Sequence, residues 1–181
     1  MKAVASMTES LVERCVSGER QAWRELHERY YPTVFGFLRR LGVKPPDTED
    51  TCQDVFIQVF RYLAKFEHRA DLRTWLYKLC ISQAVRVRRR AAVRTAIQWL
   101  LGQQPPAAGG AEWNEAETQR RVYAALEQMK EIHRAVFVLY ELEGLSGQEV
   151  AAAAGIPFST VRRRLHHARQ EFETLITQEC L

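Results

Sequence analysis

Apolar residues recur along this chain at steps of three and four. Trp23, Leu26, Tyr30, Val34, Phe37, Leu38 and Leu41 form the first such series, the spacing of a one-sided helix. Pro32 falls inside it and predicts a kink or a split, because proline lacks the amide donor and crowds the preceding turn. Gly42 ends the series and the prolines at 45 and 46 mark a break. A second helix is expected to open near Asp47 or Thr48 as N-cap. Its stripe of Cys52, Val55, Phe56, Val59, Phe60 and Leu63 predicts core, leaving Glu49, Asp50, Gln53 and Asp54 as a polar, largely acidic face. A short non-periodic stretch, 67–71, precedes a third helical series from Leu72 to about Arg94, through Trp75, Leu76 and Leu79; its second half is almost wholly basic. Strand-like alternation is missing throughout, so an all-α fold is expected.

The pattern then stops. Residues 102–110 read GQQPPAAGG, with prolines and glycines at linker density, and Glu112, Glu115 and Glu117 make the far end acidic. Helical spacing resumes with Val122, Leu126, Met129, Val136, Phe137, Leu139 and Tyr140. We therefore expect two small helical domains, 7–96 and 116–178, joined by a flexible linker at 97–115.

Near the C-terminus, Ser146 followed by Glu149 has the spacing of a capping box ahead of an apolar step. Gly155 suits the left-handed residue that ends such a helix. Ile156 and Pro157 follow, then Ser159 and Thr160 at the start of a basic helix. A short apolar helix, a glycine turn and a second helix form a helix-turn-helix pattern. Val161, Leu165 and Ala168 step by four and three and should face the core. Arg162 with His166, and Arg163 with His167, then line a different side. Such a face can enter a major groove, where arginine reads guanine O6 and N7 and hydroxyls near the helix start take phosphates.

Charge sharpens this picture. The net charge of +4 is modest, yet Arg86, Arg88, Arg89, Arg90 and Arg94 form one basic block and Arg162, Arg163, Arg164 and Arg169 another. Two separated blocks imply two contacts with a polyanion. Four cysteines at 15, 52, 80 and 180 make no C-x-x-C pair, so neither a disulfide framework nor a metal scaffold is expected, and a reducing cytoplasm is. Cys52 and Cys80 read as buried filler. Neither a signal peptide nor a membrane-spanning run is recognisable. The five histidines lack ligand spacing, and the chain has neither a phosphate-binding glycine loop nor a nucleophile elbow; we expect no metal, no cofactor and no catalysis. His27 and His133 read as ordinary helix-surface residues.

Taken together, the run Thr48-Glu49-Asp50-Thr51-Cys52-Gln53-Asp54-Val55-Phe56, then Phe66 and Arg73-Thr74-Trp75-Leu76-Tyr77, resembles the bacterial sigma-70 family, in its smallest, extracytoplasmic-function group. The second half agrees, with Leu142-Glu143-Gly144-Leu145-Ser146, Gly155-Ile156-Pro157 and Thr160-Val161-Arg162. The resemblance covers nearly the whole chain in family order. It implies a transcription-initiation specificity factor that binds core RNA polymerase and promoter DNA. Asp50, Gln53 and Asp54 would dock on a coiled coil of the largest polymerase subunit, with a further contact to the polymerase flap, although an acidic first turn also suits a helix dipole without a partner. His68, Arg69, Arg73, Thr74, Trp75, Tyr77, Lys78, Ser82, Arg86, Arg89 and Arg90 would contact the melted −10 element, where aromatic stacking offsets the cost of extruding a base. For Trp75 itself, the spacing to Leu72, Leu76 and Leu79 favours core packing over stacking on a base. Ser159, Thr160, Arg162, Arg163, Arg164, His166, His167 and Arg169 would bind the −35 element. Ser82 and Arg86 depart from the asparagine and aspartate common in the family, which reverses a charge beside the −10 element. By analogy an anti-sigma factor is expected as a further partner. Two other readings remain open at this point: an operator-binding regulator, which would dimerise on a two-fold site, and a helical protein-interaction module.

Overall fold

The computed structural model describes residues 2–66, 71–100 and 117–178, and these are helical throughout, with short connections. The first half holds α1 (Lys2–Val16), α2 (Arg20–Arg40), α3 (Pro45–Tyr62) and α4 (Leu72–Leu100), with a single 3-10 turn at Leu63–Lys65. The second holds α5 (Glu117–Gln128), α6 (Glu131–Phe137), α7 (Gly147–Ala154) and α8 (Phe158–Gln178). Between α6 and α7 the chain widens into a π-helical turn at Val138–Leu142.

In the first half α2, α3 and α4 pack on one another, and α1 lies against α2. Leu26, Val34, Phe37 and Leu38 of α2 meet Cys52, Val55 and Val59 of α3 and Leu72, Leu76 and Cys80 of α4, all of them buried. Two expectations need correction. The split expected at Pro32 does not occur: helix α2 runs unbroken through it, with Pro32 exposed on its solvent side. Helix α3 begins at Pro45 with Lys44 as N-cap, because proline at the first helical position costs no hydrogen bond. Thr48 instead bonds back to the carbonyl of Lys44 at 2.8 Å. Gly42 does end α2, at φ +80, where a side chain would be strained.

The second half packs α6 against α8 and α7 against α8, around Leu126, Met129, Val136, Leu139, Val150, Val161, Leu165 and Ala168. The two halves also meet: α7 lies along α4, and α5 touches α2. The helical series after Leu72 continues past Arg94 to Leu100, and the N-terminal helix α1, which the periodicity did not announce, seals the first core with Leu11, Val12 and Cys15. The proposed linker falls largely outside the described residues, as does Cys180.

Candidate nucleic-acid interface

Helix α7 opens on a complete capping box. The Ser146 amide donates to the Glu149 carboxylate at 2.8 Å, and the Glu149 amide donates to the Ser146 hydroxyl at 3.4 Å. Those bonds hold the Glu149 carboxyl below its ordinary range. Gly155 closes the helix at φ +66, and the amide of Ile156 returns to the carbonyl of Ala151. Gly147 is bare for a separate reason: a side chain there would run into the ring of Phe158 at the start of α8.

Helix α8 is sharply two-sided. Val161, Leu165 and Ala168 are buried, while Ser159, Arg162, Arg163, His166, His167 and Arg169 are exposed and Thr160 and Arg164 half-buried. Arg162, His166 and Arg169 share a shallow groove floored by Val161 and Leu165. Arg169 is already engaged, donating to Glu141 at 2.7 Å with its guanidinium over the Tyr140 ring. Arg164 turns away from this groove and lines the seam between the halves, near Arg88. His133 departs from its reading as a plain surface residue: its Nδ1 lies 2.5 Å from Glu171, its ring stacks near that of His167, and it is half-buried.

Helix α4 carries the second group. Arg73, Lys78, Ser82, Arg86, Arg89 and Arg90 are exposed, whereas Thr74 and Tyr77 are buried. Trp75 is half-buried against Phe66, with ring centres 5.5 Å apart. Asp71 caps the helix, its carboxylate accepting from the Arg73 amide at 2.7 Å. His68 and Arg69 lie outside the described residues.

Asp50, Gln53 and Asp54 are all exposed on α3. The structure adds two features here. Arg90 and Arg94 of α4 share one cleft with Asp47, Asp50 and Asp54, so the acidic face and the basic block adjoin. One and two turns further along α3, Ile57 and Phe60 stand exposed, and Phe60 meets Trp23 of α2 at 4.9 Å. Phe60, read from the sequence as core, thus stands on the surface, while Phe56 is half-buried against the core and its ring also meets His27 and Tyr31. The sequence signal was present: α2 and α3 each carry more aromatics than one buried stripe holds.

The seam between the halves has its own polar chemistry. Arg134 of α6 is 1% exposed; it donates to the carbonyls of Met129 and Glu127 in its own half and to Leu41 of the other at 2.8 Å. Burial and the charge of Arg88 push its pKa down to about 10, which leaves it a cation at neutral pH. Glu143 accepts from Arg40 of α2 and from the Tyr77 hydroxyl of α4. Burial, reinforced by this carboxylate, raises the Tyr77 phenol well above its ordinary value. Lys44 pairs with Glu127, and Arg39 lies over the ring of Tyr123. The buried cysteines are inert thiols, Cys15 pushed up to about 11 and Cys52 to about 12 by burial. Among the described residues, no group of histidines, cysteines and carboxylates has the arrangement of a metal site, and no helix is long and apolar enough to cross a membrane.

Two packed helical units, one ending in a capped helix-turn-helix with an outward basic face, define a nucleic-acid-binding protein of the helix-turn-helix class. The chain belongs to the sigma-70 family: the models for sigma-70 region 2 and region 4 match residues 26–94 and 119–172. It is 31% identical to the ECF RNA polymerase sigma-E factor of Haemophilus influenzae, over 93% of this chain and 94% of that one. It is 30% identical to the sigma-E factor of Escherichia coli, over 92% of each. Among solved structures, CnrH in complex with the cytosolic domain of CnrY shares the fold with a TM-score of 0.68 at 23% identity, covering 93% of this chain and 96% of that chain. The sigma factor RpoE of Bartonella quintana, bound to the anti-sigma factor NepR, has the same score at 19% identity, over 85% and 96%. The chain is an extracytoplasmic-function sigma factor.

Proposed function

We propose that this protein acts in the cytoplasm as a non-enzymatic subunit of RNA polymerase, choosing promoters through two contacts and catalysing nothing itself. The observation that carries this reading is the outward face of α8. Arg162, Arg163, His166 and His167 point to solvent from a helix whose other side is locked into the core. That geometry suits duplex DNA at the −35 element, with the arginines on base edges and Ser159 and Thr160 near phosphates. On α4, the exposed Arg73, Lys78, Arg86, Arg89 and Arg90 suit the −10 element, and Asp50, Gln53 and Asp54 of α3 suit a basic face of core polymerase. The linker makes the two DNA contacts bivalent, so neither half alone suffices. An anti-sigma factor is the further partner this reading predicts, since the Bartonella factor was solved with the anti-sigma factor NepR bound.

In vitro transcription of host genomic fragments, with core polymerase and with or without this protein, tests the reading. New transcripts sharing upstream −35 and −10 elements are expected. Their absence, with failure to co-elute with core polymerase, would return the operator-binding alternative to the front.

A further inference from the structure

We infer that His133 of α6, held by Glu171, sets the ring of His167 against the −35 duplex and so decides which base edge that ring accepts. His133 and Glu171 are then positioning residues for promoter choice, although both are half-buried beside the reading face of α8 rather than on it. This role rests on the functional reading above and gives it one device by which α8 discriminates between sequences.

Glu171 divides its carboxylate between two groups at the start of α6. One oxygen accepts from the Lys130 amide at 2.8 Å, and the other lies 2.5 Å from Nδ1 of His133. Burial opposes ionisation here, yet these two bonds hold the Glu171 carboxyl below its ordinary range. A carboxylate only accepts, so Nδ1 of His133 carries the proton, and the ring cannot turn without losing that bond. The fixed ring lies at 23° to that of His167, with centres 5.9 Å apart, in the range of offset stacking. His166 meets His167 from another side, edge-on at 5.5 Å. An exposed side chain is thereby braced twice.

A clamp between α6 and α8 would not need an imidazole. The Lys130 amide and the stacked rings of Phe137 and Phe172, 4.5 Å apart, already tie the two helices together. What His133 adds is a flat face against His167. Direction is what direct readout demands: an imidazole N–H has to point at N7 or O6 of a guanine edge in the major groove. A loose surface ring gives up rotamer freedom when it binds, and a ring already braced gives up less. The bracing therefore favours the one base edge that lies along the N–H, and it does so from residues that never touch DNA.

The test is initiation by core polymerase loaded with each full-length variant. The templates are a promoter recovered from genomic fragments and copies of it in which each −35 base pair is exchanged in turn. His167→Ala should become indifferent to one exchange, its discrimination there falling roughly tenfold. His133→Ala should relax discrimination at that same base pair by about fivefold and leave the other positions as they are in wild type. Adding His133→Ala to His167→Ala should cost nothing further, because both act through one ring. His133→Phe keeps a flat face and should restore most of the discrimination. A uniform fall in initiation on every template would make His133 a packing residue and overturn the inference. Relaxation at a different base pair, no relaxation, or a His133→Phe variant no better than His133→Ala overturns it too. So does a His167→Ala variant that weakens all templates alike, since its ring would then sit on a phosphate. Should His133→Ala lose its helical circular dichroism, Glu171→Ala takes its place under the same criteria, with Glu171→Gln as the rescuing variant. Any of these failures leaves the initiation reading standing, because wild type still initiates; a wild type that directs core polymerase to no promoter brings down both.

Discussion

Helices α4 and α8 both carry arginines on a polar side, yet they meet different surroundings. On α8 the separation is clean, with Val161, Leu165 and Ala168 inside and Arg162, Arg163, His166 and His167 outside. On α4, polar residues are found on both sides: Arg86, Arg89 and Arg90 face water, while Thr74, Tyr77 and Gln83 are buried. The reason is the number of neighbours. Helix α8 packs chiefly on α5, α6 and α7 of its own domain, whereas α4 is held between α2 and α3 on one side and α7 on the other. A helix with one packed side sorts its residues by polarity. A helix packed on two sides keeps polar residues inside when the second neighbour brings hydrogen bonds to them, as Glu143 does for Tyr77.

The harshest way to break this contrast is to remove Arg134. Arg134→Ala leaves the carbonyls of Leu41, Glu127 and Met129 without their donor and opens a cavity where the longest buried side chain stood. Relief from burying a cation offsets part of that loss. A net destabilisation of about 3 kcal/mol is expected from orphaned buried acceptors and lost packing. Urea unfolding followed by circular dichroism measures it. An unchanged midpoint would mean that the Arg134 bonds add no net stability to the seam.

A second experiment sharpens the contrast within α8. Arg162→Ala or Arg163→Ala should each weaken binding to duplex carrying the −35 element recovered by transcription, by about 2 kcal/mol if the side chain reads a base edge. Arg164→Ala, one residue on, should lose less, because Arg164 is half-buried at the seam rather than in the open groove. Equal losses at Arg163 and Arg164 would place the reading face elsewhere on the helix.

How much of this could be read in advance follows from the same contrast. Periodicity gave the all-α class, the core side of α8, and the turn at Gly155, because each depends on residues within one or two helical turns. Ser146 with Glu149 was legible for the same reason. What escaped was set by distant neighbours. Nothing near Arg134 in sequence shows that it will be buried, since Leu41 lies far off in the chain. Phe60 looked like core from its step after Phe56 and Val59, but the aromatic surplus of α2 and α3 exceeds the space inside and spills onto the surface. The break before α3 was legible, but its start was placed at Asp47 or Thr48 when Pro45 and Pro46 already begin the helix, since proline suits the first helical positions.

The smallest effect belongs to the most local feature. Ser146→Ala removes the hydroxyl that receives the Glu149 amide and should cost about 1 kcal/mol, the usual loss for an N-cap of this kind. Because α7 touches both α8 and α4, the loss should appear in global unfolding rather than as simple fraying of one short helix. The acid side of the profile carries the second half of the test. The Glu149 carboxyl is lowered by its bonds to Ser146, so its contribution is present above its ordinary pKa and is lost as the pH falls through the lowered value. Glu149→Gln should therefore flatten the stability profile in that acid window while keeping most of the neutral-pH stability, since an amide oxygen can still accept from the Ser146 amide. Ser146→Ala should lower stability at neutral pH by more than Glu149→Gln does. If the order were reversed, the charge at the start of α7 would outweigh the cap, and the register of the helix-turn-helix would depend on electrostatics rather than on the hydroxyl.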